Sequence, residues 1–114
     1  MWRQKMATLP IEQIERTTGL TPTFSAASAG GDDFMNTGRQ YVEIVNGDAS
    51  PVDVTFVTPG TVDGLAVADH VVSVPASSTK KVGPFPTSVY NASDGLLSIT
   101  YASVTSLTVG VFQI

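Results

Sequence analysis

Apolar and polar residues alternate with a period of two along much of the chain, the mark of strands that bury one face. In residues 39–46, Gln40, Val42 and Ile44 share one side and Tyr41, Glu43 and Val45 the other; the first set is the expected core face. Val52, Val54 and Phe56 alternate with Asp53, Thr55 and Val57, and Leu97, Ile99 and Tyr101 alternate with Ser98 and Thr100. Leu107, Val109 and Val111 alternate with Thr108, Gly110 and Phe112. Shorter strands are expected at 70–74 and 79–82. Turn signals punctuate these runs: Asn46-Gly47-Asp48, Pro59-Gly60, Pro75-Ala76-Ser77-Ser78, Gly83-Pro84-Phe85-Pro86 and Asp94-Gly95. About eight strands at this spacing predict an all-β fold, a single antiparallel β-sandwich of jelly-roll-like form. Residues 59–69 make a longer connection with apolar residues of its own, expected to pack across one end of the sandwich.

Residues 1–22 stand apart from this pattern. Residues 10–16 suit one or two helical turns, with Pro10 at the start and an acidic first turn. Thr17-Thr18-Gly19-Leu20-Thr21-Pro22 favours extension instead. The favoured division is an extended N-terminal arm, 1–22, followed by a sandwich domain, 23–114. The alternative is an ordinary first strand of the same sandwich. Leu9, Pro10, Ile11 and Ile14 form a small apolar cluster outside the expected core, and exposed clusters of this kind mark binding surfaces. Together with Pro84 and Phe85 of the proline corner they are the candidate contact residues. An extended arm can also bind by adding a strand to a neighbour.

Composition narrows the function classes. The 114 residues suit one domain, and the absence of cysteine excludes disulfides and thiolate metal sites. Net charge is −4 with only 14% charged residues, a low density that fits life in an assembly. The basic residues Arg3, Lys5, Arg16, Arg39, Lys80 and Lys81 form no stripe that would neutralise phosphates, so direct nucleic-acid binding is not expected. No apolar run reaches the ~18 residues of a membrane helix. Residues 1–6 carry two positive charges without a following apolar stretch, which argues against a secretory signal, and Met6 resembles a second start.

Reactive chemistry is sparse. His70 is the single histidine, and neighbouring Asp69 would point to the opposite face of a strand. Asp32-Asp33 in a glycine loop, or Asp63 with Asp69, could approach calcium, but the acidic spacing is thinner than calcium loops show. Trp2 is the only tryptophan and lies in the tail, which weakens a sugar-cleft reading; Tyr41, Tyr90 and Tyr101 keep sugar binding open. Gly30-Gly31 leads into no helix and is no phosphate loop. No enzyme activity and no cofactor are expected.

The chain also carries a pattern of motifs. Ile14-x-Arg16-x-x-Gly19-Leu20-Thr21-Pro22-Thr23 is followed by Gly31-Asp32-x-Phe34-x-Asn36-x-Gly38-Arg39 and Val45-Asn46-Gly47. Then come Val62-Asp63-Gly64-Leu65-Ala66-Val67-Ala68-Asp69, Val74-Pro75-Ala76 and Gly83-Pro84-Phe85-Pro86-x-x-Val89-Tyr90-Asn91. From Thr8 onward this resembles small proteins encoded near the major capsid gene of tailed bacteriophages and prophages, some of them head decoration or cement proteins. The resemblance implies a β-sandwich on the outer surface of the capsid, made in the bacterial host cytoplasm. It would bridge subunits of the major capsid protein as a homodimer or homotrimer. It implies no catalytic residue. A head–tail connector or tail role, and a carbohydrate- or receptor-binding sandwich, are the alternatives.

Overall fold

A computed structural model describes residues 7–114. The features noted at Trp2, Arg3, Lys5 and the Met6 start lie outside these residues. The strands are β1 (Ala7–Thr8), β2 (Ile11–Gln13), β3 (Ser25–Ala26), β4 (Asp32–Met35), β5 (Gln40–Asn46), β6 (Val52–Phe56), β7 (Thr61–Val62), β8 (Leu65–Ala66), β9 (His70–Val74), β10 (Ser78–Val82), β11 (Leu96–Tyr101) and β12 (Leu107–Gln113). A single helical turn, α1 (Thr87–Tyr90), lies between β10 and β11.

The alternation places the core as expected. Along β5 each of Gln40, Val42, Ile44 and Asn46 is buried, while Tyr41, Glu43 and Val45 are half-buried. One sheet has the order β1-β4-β11-β6-β9; the other runs β10-β5-β12-β2, with β3 also paired to β12. Val42, Ile44, Val109 and Val111 from the second sheet pack with Phe34, Val54, Phe56, Leu97 and Ile99 from the first. The fold is thus an all-β sandwich, described by this strand order rather than by a jelly-roll label. Successive long strands mostly cross between the two sheets. The chain therefore turns at two ends, and those ends carry contrasting loops.

Residues 7–13 differ from an arm. β1 pairs with β4 in parallel, and β2 pairs with β12 in parallel. The sandwich is thus mixed and not purely antiparallel, and residues 7–13 belong to both of its sheets. Leu9, between these two strands, is 5% exposed and joins the core. The cause is the alternation of Leu9 with Ile11: an apolar side chain that can reach the gap between two sheets is more stable there than in water. Residues 10–16 form no helix. A second, smaller apolar site lies on the outer face of the β5–β12 sheet. Phe112 is buried there between Phe24 and Tyr41, each with its ring centre 5.7 Å away. Gly110 makes room for it, since a Cβ at that position would lie 2.9 Å from the Phe112 ring.

Candidate docking surface

The two ends of the sandwich differ in chemistry. At one end lie Gly47–Ser50, Pro75–Ser77 and Ala102–Ser106, turns of small and polar residues. Asn46 stitches this end together, donating from Nδ2 to the carbonyl of Ser50 at 2.9 Å and to that of Val74 at 3.2 Å. The opposite end holds the last residues of β2, β4, β6, β10 and β12 and the first residues of β5, β9 and β11. The exposed large apolar residues Ile14, Met35, Val62, Leu65 and Ile114 belong to this end, and Val71 stands next to it on β9.

The most prominent of these residues sit on a β-hairpin. β7 and β8 pair as Thr61 with Ala66 and Val62 with Leu65. Asp63 and Gly64 make the turn with φ of 53° and 76°, the conformation of a type I′ hairpin, which Asp-Gly favours. Leu65 is 71% exposed and Val62 57%. This corrects the expectation that residues 59–69 pack across the end: two residues per strand offer no face wide enough to bury, and the hairpin projects. Its base is held firmly. Thr58 Oγ1 donates to the Val67 carbonyl at 2.8 Å, and Asp69 Oδ1 accepts from the Thr58 amide at 2.9 Å. Gly60 packs so closely on α1 that a Cβ there would fall 2.5 Å from the Ser88 carbonyl oxygen.

A groove of about 590 Å³ opens at the same end. Arg39 just before β5, Tyr41 near its start, Lys81 and Val82 from the end of β10, Pro84 and Ile114 line it. Its walls are mainly apolar, with two cations among the lining residues. Arg39 donates to the Ile114 carbonyl oxygen, and Lys81 Nζ lies 3.7 Å from Glu43. Gly83 shapes the wall: at φ 146° it presses onto β5, and a Cβ there would meet Gln40 O and Tyr41 Cα at 2.9 Å.

Of the six contact residues expected from sequence, Pro10 and Pro84 are exposed, Ile14 is 37% exposed and Ile11 is half-buried. Leu9 and Phe85 lie in the core, so in this fold their side chains are not available to a partner. Phe85 is 2% exposed, with ring centres 5.0 Å from Phe56, 5.2 Å from Tyr90 and 6.2 Å from Phe34. The proline corner turns it inward: Gly83 brings the backbone against β5, and Phe85 then closes this end of the core. Sequence reasoning missed the exposure of Val62 and Leu65, although Val62-Asp63-Gly64-Leu65 is a hairpin signal flanked by apolar residues.

Several of the remaining polar candidates are engaged in hydrogen bonds. Asp32 and Asp33 lie on β4 and not in a loop, so they point to opposite sheet faces. Asp32 Oδ2 accepts from the Tyr101 hydroxyl at 2.7 Å, and burial, followed by this carboxylate, pushes the Tyr101 phenol well above its ordinary value. Oδ1 of each aspartate is buried without a hydrogen-bond partner. Among the described residues no group of three or more histidine, aspartate or glutamate side chains is placed to hold a metal. His70 is exposed, its Nδ1 3.2 Å from the Tyr90 hydroxyl, while Asp69 is turned toward Thr58. Asn36 and Asn91 hold the start of the connection from β4 to β5, with Asn36 Nδ2 donating to Asn91 Oδ1 at 2.7 Å and to the Phe85 carbonyl at 3.0 Å. No helix among the described residues is long and apolar enough to cross a membrane. No protein-family model, curated protein or solved structure matches the chain.

Proposed function

We propose that this protein is a structural component of a bacteriophage particle that binds the outside of the capsid and reinforces it. The observation that carries this reading is the gathering of exposed large apolar side chains at one end of the sandwich. Large apolar side chains gathered in water at one place mark where another macromolecule sits. The small, polar turns at the other end suit exposure to solvent. The motif resemblance to proteins encoded beside the major capsid gene supplies the kind of partner, and the low charge density agrees with a surface that is largely covered. On a capsid each contact is repeated many times, so modest affinity at each one suffices.

The test is co-expression with the major capsid protein of the same genome, followed by sedimentation of the shells and a stained-gel copy number. Saturable binding in the hundreds per shell is expected, and it should fall when Val62 and Leu65 are both replaced by serine. A copy number of about a dozen would instead assign a connector or tail ring, closed rings having that kind of stoichiometry. Failure to sediment with any shell would overturn the reading.

A further inference from the structure

We infer that the β7–β8 hairpin of one copy seats in the groove between β5, β10 and Ile114 of a second copy. The inference rests on reading the apolar end as an assembly surface and specifies one of its contacts. Two features of that end are complementary. The hairpin tip presents Val62 and Leu65 on either side of an acid, Asp63. The groove is lined by Tyr41, Val82, Pro84 and Ile114 together with Arg39, which donates to the Ile114 carbonyl, and Lys81, whose Nζ lies 3.7 Å from Glu43. The described chain has only four lysines and arginines, Arg16, Arg39, Lys80 and Lys81, and two of them line this groove in a molecule of net charge −4.

Size agrees as well. Pockets of ~300–1,000 Å³ take ligands of drug size, and a groove of about 590 Å³ suits the four residues of a hairpin tip. The hairpin does not fill the groove of its own chain: none of its residues lines the groove, and Val62 and Leu65 remain exposed. The occupant is therefore the hairpin of another molecule. Burial of Leu65 and Val62 supplies the affinity, and Asp63 against Arg39 and Lys81 sets orientation and partner choice. Hairpin and groove are different patches at the same end, so two copies that exchange hairpins reciprocally make the contact twice and close a two-fold dimer.

The experiment is sedimentation velocity on the purified full chain across a concentration series, without capsids. Reversible self-association is expected, weakened on the order of tenfold or more by Leu65→Ser, the burial of one leucine side chain being of that size. Asp63→Lys and Lys81→Glu should each weaken it too, and an equimolar mixture of these two variants should regain it, because the lysine tip of one meets the glutamate rim of the other. Thermal melts of each variant control for folding. A monomer at every concentration, association indifferent to Leu65→Ser, or a mixture that stays as weak as its components would each overturn the inference. If self-association fails while shells still sediment with the protein, only the hairpin–groove contact falls and the capsid reading stands.

Discussion

Replacing Phe85 by alanine asks whether the proline corner is a contact surface or the closure of the core. The side chain is 2% exposed and touches three other aromatic rings, Phe34, Phe56 and Tyr90. Truncating a buried phenylalanine costs about 3–5 kcal/mol, from lost transfer energy and the cavity left behind. The ring packing lost with it adds to the upper part of that range. We expect a loss of about 4 kcal/mol, a large share of the ~5–15 kcal/mol that holds a domain together. With a urea m-value of about 1.5 kcal/mol/M, the midpoint should move down by roughly 2.5 M. Tm should fall by about 15 °C, at ~4 °C per kcal/mol for a domain of this length. Ser88→Ala, three residues away and exposed, is the internal control and should stay within about 0.5 kcal/mol. Urea unfolding followed by circular dichroism reads both. A loss below about 1 kcal/mol for Phe85→Ala would refute the placement of Phe85 in the core and restore it as a surface contact.

Three further outcomes test other parts of the structure. Leu9→Ala should cost about 2–4 kcal/mol in the same urea assay, because Leu9 joins the core; a detached arm would leave stability unchanged. Gly83→Ala should destabilise by ~2 kcal/mol or more, since the position combines a φ of 146° with a Cβ 2.9 Å from the β5 backbone, whereas Gly64→Ala, with open space around it, should cost only about 1 kcal/mol for its left-handed backbone. The Tyr101 phenol, raised in the folded state by burial and by Asp32, contributes stability that is fully present below the unfolded tyrosine pKa of about 10 and is lost as pH rises above it; Tm measured from pH 8 to 11.5 should bend downward above about 10, and Tyr101→Phe should remove that part of the bend.

The central strands were legible because alternation is a local property. Val42, Ile44, Val54, Phe56, Leu97, Ile99, Val109 and Val111 all lie inside, as period two requires. What sequence did not give was direction at the irregular places. Gly83-Pro84-Phe85-Pro86 announces a corner, but which way Phe85 faces depends on how Gly83 meets β5, a contact with residues about forty positions earlier. Ile11 and Leu9 carry strand periodicity, yet the partner of β2 is β12, with Gln113 Nε2 donating to Gln13 Oε1 across 100 residues of chain. Phe112 sits on the face that alternation assigns to solvent; its burial depends on Phe24 crossing the outside of the sheet. Of the expected contact residues, Pro10, Ile14 and Pro84 are exposed. Val62 and Leu65 were hidden because an apolar pair beside a turn reads equally well as a buried cap.

These placements bear on how such a molecule can assemble. An arm that donates a strand must be free of its own sheets, and residues 7–13 are committed to both of them. Withdrawing them would expose Leu9 and strip β12 of one of its two partners along Val111–Gln113, a loss that a single added strand elsewhere would have to offset. The sheet edges are poor alternatives. β10 carries Lys80 and Lys81, charges of the kind that discourage edge pairing. β9 has no lysine, arginine or acidic residue but is only five residues long and runs straight into Pro75, and shortness limits an edge in the same way. With residues 7–13 committed and the β9 and β10 edges restrained, association through backbone pairing at these places is the costly route. Side chains at the end of the sandwich remain, and the apolar hairpin tip and the groove that Arg39 and Lys81 help to line both lie there.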